Sequence, residues 1–289
     1  MMRQPPSVAA RTTAMSLRRR KMFRQVMRYV AAVFALGIFL FPVYWVCIMA
    51  FKSGNDIYAN PPIWVPTDLS LRHFERVIGQ GGLRSLGITL LNAGSATVLS
   101  VITGSLAAYG LARYKVGGQN LPFFILSQRF MPPVAVIFPF ILVFKTLRWM
   151  DTPQALIVVY LTFNLPYAVW MMRGFFLEIP REVEESALVD GCTPLGAFWR
   201  IALPLAMPGV VATGVFCFIF SWTEFFFAIT LTKSHAVPIS VYIVNFFGNL
   251  GVQWGQIGAA SILSITPVFV LSIMVQRYLV RGLTLGAVK

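Results

Sequence analysis

Apolar residues recur along this 289-residue chain in six long stretches, each close to the ~20 residues a helix needs to cross a hydrocarbon core roughly 30 Å thick. They cover residues 29–51, 86–112, 121–144, 153–176, 205–231 and 259–279. The runs are continuously apolar rather than alternating, and a helix satisfies its own backbone in lipid without closing a barrel. The pattern therefore predicts an all-α integral membrane protein with six transmembrane helices. One interruption stands out. Between the fourth and fifth stretches, residues 184–208 are polar and rich in acids at their start.

Composition agrees with the pattern. Apolar residues make up 57% of the chain, charged residues 12%, and mean hydropathy is +0.72. A soluble domain, typically about 45–50% apolar, is excluded. Basic residues then orient the spans: placing the N-terminus in the cytoplasm puts 16 of the 24 Lys and Arg inside and seven outside, with Arg129 in a span. The positive-inside rule favours N-in and C-in. Residues 1–28 form a basic cytoplasmic tail, expected to be disordered before Ser16, and residues 29–289 form the six-helix domain. The formal charge of +14 does not imply nucleic-acid binding, because the tail cluster Arg18, Arg19, Arg20, Lys21, Arg24 and Arg28 abuts an apolar span and suits lipid headgroups. Cys47, Cys192 and Cys217 form no CxxC pair and read as packing residues; no metal site is expected.

The polar interruption has the grammar of a helical hairpin spanning 180–204. Pro180 suits a helix start and Arg181 to Val189 follow. Asp190 and Gly191 stop that helix, and Thr193–Pro194 has the form of an N-cap and first turn of a second helix reaching Leu203. Phe198 and Ile201, three residues apart, offer an apolar ridge. A rigid polar hairpin between two spans can transmit force to a soluble partner; on spacing alone an ordinary connecting loop is equally consistent.

The same segment resembles the EAA motif of bacterial ABC importer permeases, here carried by Glu185, Ser186, Ala187, Asp190, Gly191, Phe198, Ile201, Leu203 and Pro204. Serine replaces the middle alanine. The six-span layout, Met131–Pro132–Pro133 and the ending from Gly282 to Lys289 extend the resemblance to carbohydrate-uptake permeases of the maltose type. It implies a non-catalytic permease subunit of an ATP-driven, binding-protein-dependent importer for a sugar or sugar alcohol, in the bacterial inner membrane. The hairpin would dock on one of a pair of ATP-binding cassette subunits, with Glu185 meeting its basic groups. A second homologous permease and an extracytoplasmic solute-binding protein would complete the assembly. No cofactor is expected in this chain: Mg-ATP would sit on the partner subunits, and the sequence has no Gly-Lys dipeptide for a phosphate loop.

Ionisable groups inside spans are costly and invite a functional reading. Arg129, near carbonyls freed by Pro132 and Pro133, and Glu224 qualify. With Tyr160, Asn164, Trp222 and Phe225 they make a candidate substrate path, because aromatic faces and polar side chains together suit hydroxylated ligands. The external loops 52–85 and 233–256 are expected to receive the binding protein. A secondary transporter or channel for a small polar solute is the alternative, and it would have no need of the hairpin. An intramembrane enzyme finds no support, since His73 and His235 lie in external loops without paired acids.

Overall fold

The computed structural model describes the backbone of residues 8–285 apart from 67, 115, 119, 249 and 250, and the side chains of 21–276 with the same exceptions. Helix α1 (Val8–Phe51) runs unbroken from the basic tail into the first span, so the chain is helical from Val8, where disorder is expected before Ser16. Its side chains from Met22 to Tyr44 are largely exposed; burial begins near its C-terminal end, where it packs on the last helix. Apolar side chains exposed all round a helix need lipid or another apolar surface.

Outside that span, Ser53 caps the short α2 (Gly54–Ile57) through Asp56 N, and α3 (Arg72–Gly79) buries His73 and Val77. Helix α4 (Gly82–Arg113) follows, then α5 (Asn120–Ser127) with a 3-10 turn at Gln128–Phe130, and α6 (Pro133–Thr146). The third apolar stretch is thus broken rather than straight, bent by 87° between Phe130 and Pro133. The cause is local. A residue before proline avoids the helical region, and Met131 and Pro132 are both extended, with ψ of 129° and 127°.

Helix α7 (Pro153–Glu178) is the central span, with half of its most apolar window buried. The polar hairpin follows as α8 (Arg181–Val189), α9 (Pro194–Ala197), a π-helical turn at Phe198–Ala202 and α10 (Leu203–Leu205). A 78° bend leads into α11 (Met207–Trp222). The fifth stretch therefore ends as a helix at Trp222, short of the expected residue 231, and a separate α12 (Phe226–Leu231) begins after Glu224. Helix α13 (Ile239–Tyr242) and a 3-10 turn at Ile243–Phe246 lead to a two-residue antiparallel ladder, β1 (Phe247–Gly248) with β2 (Gly251–Val252), a small exception to the all-α expectation. Helix α14 (Trp254–Leu285) closes the chain. The ending from Gly282 to Lys289 lies outside the described side chains. Among the described residues four helices are long and apolar enough to cross a membrane, and six spans result if each bent pair counts as one.

Among the described residues three apolar clusters hold the bundle together. One joins α6, α7 and α12 around Phe144, Leu156 and Phe227; a second joins α4, α7 and the hairpin around Tyr109, Met172 and Phe198; the third joins α1, α3, α13 and α14 around Ala50, Val77 and Ala259. Helices α4 and α7 make the most extensive contact. They approach so closely at Gly104 that a Cβ there would lie 2.7 Å from that of Ala168. Small residues permit this backbone approach in lipid, where packing rather than hydrophobic burial drives helix association.

Candidate functional site

The hairpin is built by a few local devices. Helix α8 ends because Gly191 adopts φ +90°, a conformation costly for any residue with a Cβ, and the backbone N–H groups of Gly191 and Cys192 then satisfy the carbonyls of Leu188 and Ala187 at 3.1 and 2.9 Å. Thr193 caps the next helix by accepting from Gly196 N at 3.1 Å, and Pro194 occupies its first turn. The second arm departs from the single α-helix expected to Leu203: after one α turn it widens into the π turn, which carries Phe198 and Ile201.

That arm turns Phe198 inward. Phe198 is buried, with ring centroids 5.1 Å from Tyr109 and 6.0 Å from Phe176, so it forms no exposed ridge with the half-buried Ile201. The outward apolar residues are others: Val189 is 87% exposed, Leu195 60% and Trp199 47%. Glu185, Ser186, Asp190, Gly191 and Pro204 are exposed, while Ala187 and Leu203 are half-buried.

The two adjacent acids of α8 point in different directions. Successive residues of a helix are about 100° apart, and Glu184 turns inward while Glu185 faces out. Glu184 forms the salt bridge with Arg113 at the end of α4: Arg113 Nε donates to its two carboxylate oxygens at 2.9 and 3.1 Å, and Tyr109 donates its hydroxyl at 2.8 Å. Arg113 Nη2 also donates to the Ile179 carbonyl at 3.1 Å. Sequence reading singled out Glu185 and missed this triad. The doublet of acids opening an amphipathic helix was the available signal.

A half-open cavity of about 260 Å³ lies between the bend at Met131, the middle of α7 and the C-terminal end of α11. Arg129, Tyr160, Asn164 and Glu224 line it, as the sequence suggests, joined by Ser221, Thr223 and Phe220, which were missed. Trp222 and Phe225 are not among its lining residues: Trp222 is buried, stacked on Phe218 with centroids 5.3 Å apart, and Phe225 is exposed. Arg129 donates from Nη1 to the Phe163 carbonyl at 2.6 Å, on another span, not to carbonyls beside its own prolines. Its guanidinium carbon lies 4.1 Å from the Phe220 ring centroid and 5.4 Å from that of Tyr167. Glu224 accepts from Phe227 N and Ala228 N at 2.9 and 3.1 Å, so it caps α12 at its N-terminus. The cavity thus presents a cation, a carboxylate and hydroxyls beside aromatic faces, a combination suited to a small polar ligand.

At the end of the bundle away from the hairpin, Asp151 adopts φ +58° between α6 and α7 and accepts from four successive backbone N–H groups, Lys233 to Ala236, at 3.0 to 3.2 Å. Burial by itself raises this carboxyl, but the four backbone donors together outweigh it and hold the group well below the usual carboxylate range.

Helices apolar enough to cross a membrane, two of them bent, with a polar cavity among them and a polar hairpin beyond, have the make-up of a membrane transport component. Residues 100–285 match the family described as the binding-protein-dependent transport system inner membrane component, and the chain belongs to it. It is similar to the probable ABC transporter permease protein y4oR of Sinorhizobium fredii, 37% identical over 258 residues covering 87% of this chain and 91% of that protein. It is also similar to the diacetylchitobiose uptake system permease protein DasC of Streptomyces coelicolor (33% identical, 94% and 99% covered) and the trehalose transport system permease protein SugB of Mycobacterium tuberculosis (33%, 88% and 94%). In fold it matches a chain of the bacterial ABC transporter involved in alginate import, with a TM-score of 0.75 at 23% identity over 96% of this chain and 99% of that one.

Proposed function

We propose that this chain is one half of the transmembrane path of an ATP-driven, binding-protein-dependent importer for a sugar or sugar alcohol. Its N- and C-termini and the hairpin face the cytoplasm, the orientation that places most of its basic residues inside. The observation that carries the reading is the hairpin itself. A helix, a glycine turn and a capped second arm are locked to α4 and α7 and display Val189, Leu195 and Trp199 outward. That is a preformed surface for a groove on a soluble subunit, and the motif residues Glu185 to Pro204 surround it.

In this reading a pair of ATP-binding cassette subunits binds Mg-ATP, closes, and moves the hairpin; a second, homologous permease packs on the apolar surface that α1 leaves open; a solute-binding protein docks on the opposite face, near the loop that Asp151 holds. The substrate passes the cavity lined by Arg129, Tyr160, Asn164 and Glu224; Arg129, Tyr160 and Glu224 exchange hydrogen bonds with its hydroxyls, Asn164 holds the wall, and Phe163, Phe220 and Phe227 meet its apolar faces. The sugar assignment is supported by the names of DasC and SugB and by this lining.

Reconstitution of the complete transporter in proteoliposomes tests the proposal. Uptake should require internal ATP and the external binding protein together. Uptake driven by an ion gradient alone would sink it in favour of a secondary transporter.

A further inference from the structure

Among the described residues the hairpin touches the bundle through apolar packing and through polar contacts centred on Glu184. Glu184 and Arg113 have side chains only 6% and 8% exposed: the carboxylate accepts from Arg113 and Tyr109, and Arg113 donates also to the carbonyl of Ile179 at the α7–α8 corner. Arg181 Nη2 reaches back from α8 toward the terminal carbonyls of Ala112 and Arg113, both at 3.4 Å. The charges also suit their helices. Glu184 lies in the first turn of α8 and Arg113 in the last turn of α4, so each meets the favourable end of its own helix dipole. Tyr109, one turn before Arg113, stacks into the cluster with Phe176 and Phe198 at 5.5 and 5.1 Å, so the same side chain joins the ion pair to the packing of the second arm.

We infer that the Glu184–Arg113 pair, held by Tyr109, is the joint through which displacement of the hairpin reaches α4, with Glu184 and Arg113 acting as positioning residues rather than as contacts to the ATP-hydrolysing subunit. The inference rests on the coupling role proposed above. A buried, forked Arg–carboxylate pair fixes both distance and angle, whereas an apolar contact alone allows the hairpin to slide. Helix α4 in turn makes the closest contact with α7, whose side chains Tyr160 and Asn164 line the cavity, so a movement passed to α4 acts on the helix that shapes the path. Glu185, one residue on and exposed, is left for the partner subunit.

The test uses the complete transporter in proteoliposomes with Glu184→Gln, Arg113→Lys and the double variant Arg113→Met with Glu184→Met, which removes both buried charges together. Three quantities are read: co-purification of the ATP-hydrolysing subunits, ATP hydrolysis rate, and solute moved per ATP. Each variant is expected to retain the partner subunits and hydrolyse ATP, while solute per ATP falls about tenfold or more; the double variant should fall no further than the worse single one. Solute per ATP within twofold of the unmodified protein overturns the inference, as does loss of the partner subunits from Glu184→Gln, which would make Glu184 a docking residue. If the charge variants yield no folded permease at all, Tyr109→Phe decides, since it deletes one hydroxyl: a two- to fivefold fall supports the joint, and no change overturns it. ATP-independent uptake by the unmodified protein would refute the coupling reading itself, an outcome separate from all of these.

Discussion

Asn164 donates its side-chain amide to the Ser221 hydroxyl at 2.8 Å and to the Cys217 carbonyl at 3.1 Å, tying α7 to α11 at the wall of the cavity. Both donors of a side chain that sequence reading places against substrate are thereby committed to structure. Asn164→Ala removes them and leaves buried acceptors unmatched, a cost of about 1–3 kcal/mol. The purified complex should melt at a lower temperature and transport more slowly. An unchanged melting temperature would show that the bond is no strut.

Arg129 owes its position to the Phe163 carbonyl and to the Phe220 ring. A lysine keeps the charge but lacks the planar group that stacks and bonds at once. Arg129→Lys should therefore raise the KM for uptake several-fold with a smaller effect on maximal rate, and Glu224→Gln should act similarly while weakening the cap of α12. Concentration dependence of uptake distinguishes the outcomes. Unchanged uptake and solute selectivity in alanine variants of both residues would remove them from the path.

Gly191 has open space around its missing Cβ, so a side chain there is opposed by backbone strain, not by a clash. Gly191→Val should cost about 1–2 kcal/mol locally and misalign the two arms, so that ATP hydrolysis continues with little uptake. Normal transport at normal expression would contradict the docking role of the turn.

Asp151 titrates below the ordinary carboxylate range because the amides of residues 233–236 stabilise its charge. A lowered folded-state pKa means that the stabilisation is fully present above the ordinary value and is lost progressively as the pH falls from there through the folded-state value. Hydrogen exchange of those four amides, corrected for intrinsic rates, should stay slow from neutral pH into moderate acid. Asp151→Asn should speed it at neutral pH; equal protection in the variant would deny the carboxylate its role.

Gly104→Leu tests the central contact. Even a Cβ would fall 2.7 Å from that of Ala168 and 3.3 Å from its backbone, so α4 and α7 must separate, at a cost of about 1–3 kcal/mol. Reduced yield of folded protein and a lower melting temperature are expected, and a variant as stable as the parent would show that the helices tolerate a wider spacing.

The hairpin was legible to the residue at its turn, because proline, glycine and threonine act through backbone conformation and need no distant partner: α8 runs Arg181–Val189 and Thr193 caps α9. The bends were not legible as bends. Hydropathy registers that residues 121–144 are apolar, not that Met131 and Pro132 go extended between two helices; the prolines were visible, but their geometric consequence depends on what packs around the kink.

The path residues divide the same way. Arg129 and Glu224 were legible because a charge in an apolar run is anomalous whatever surrounds it, yet the partner of Arg129 lies 34 residues away and no local pattern points to it. Trp222 and Phe225 shared the composition of a sugar site but not its direction, since Trp222, the last residue of α11, stacks on Phe218 and Phe225 beyond it faces out.

By itself the sequence determined the membrane class, the six apolar stretches, the hairpin with its glycine turn, and the resemblance to transport permeases, since each depends on residue type and short spacing along the chain. Only the tertiary structure decided which of two neighbouring acids is buried, that Phe198 faces inward while Trp199 faces out, and that Asn164 is spent on Ser221. Those depend on rotation about helix axes and on contacts between residues far apart in sequence, where a change of one position turns a side chain by about 100° and exchanges a core contact for a surface one.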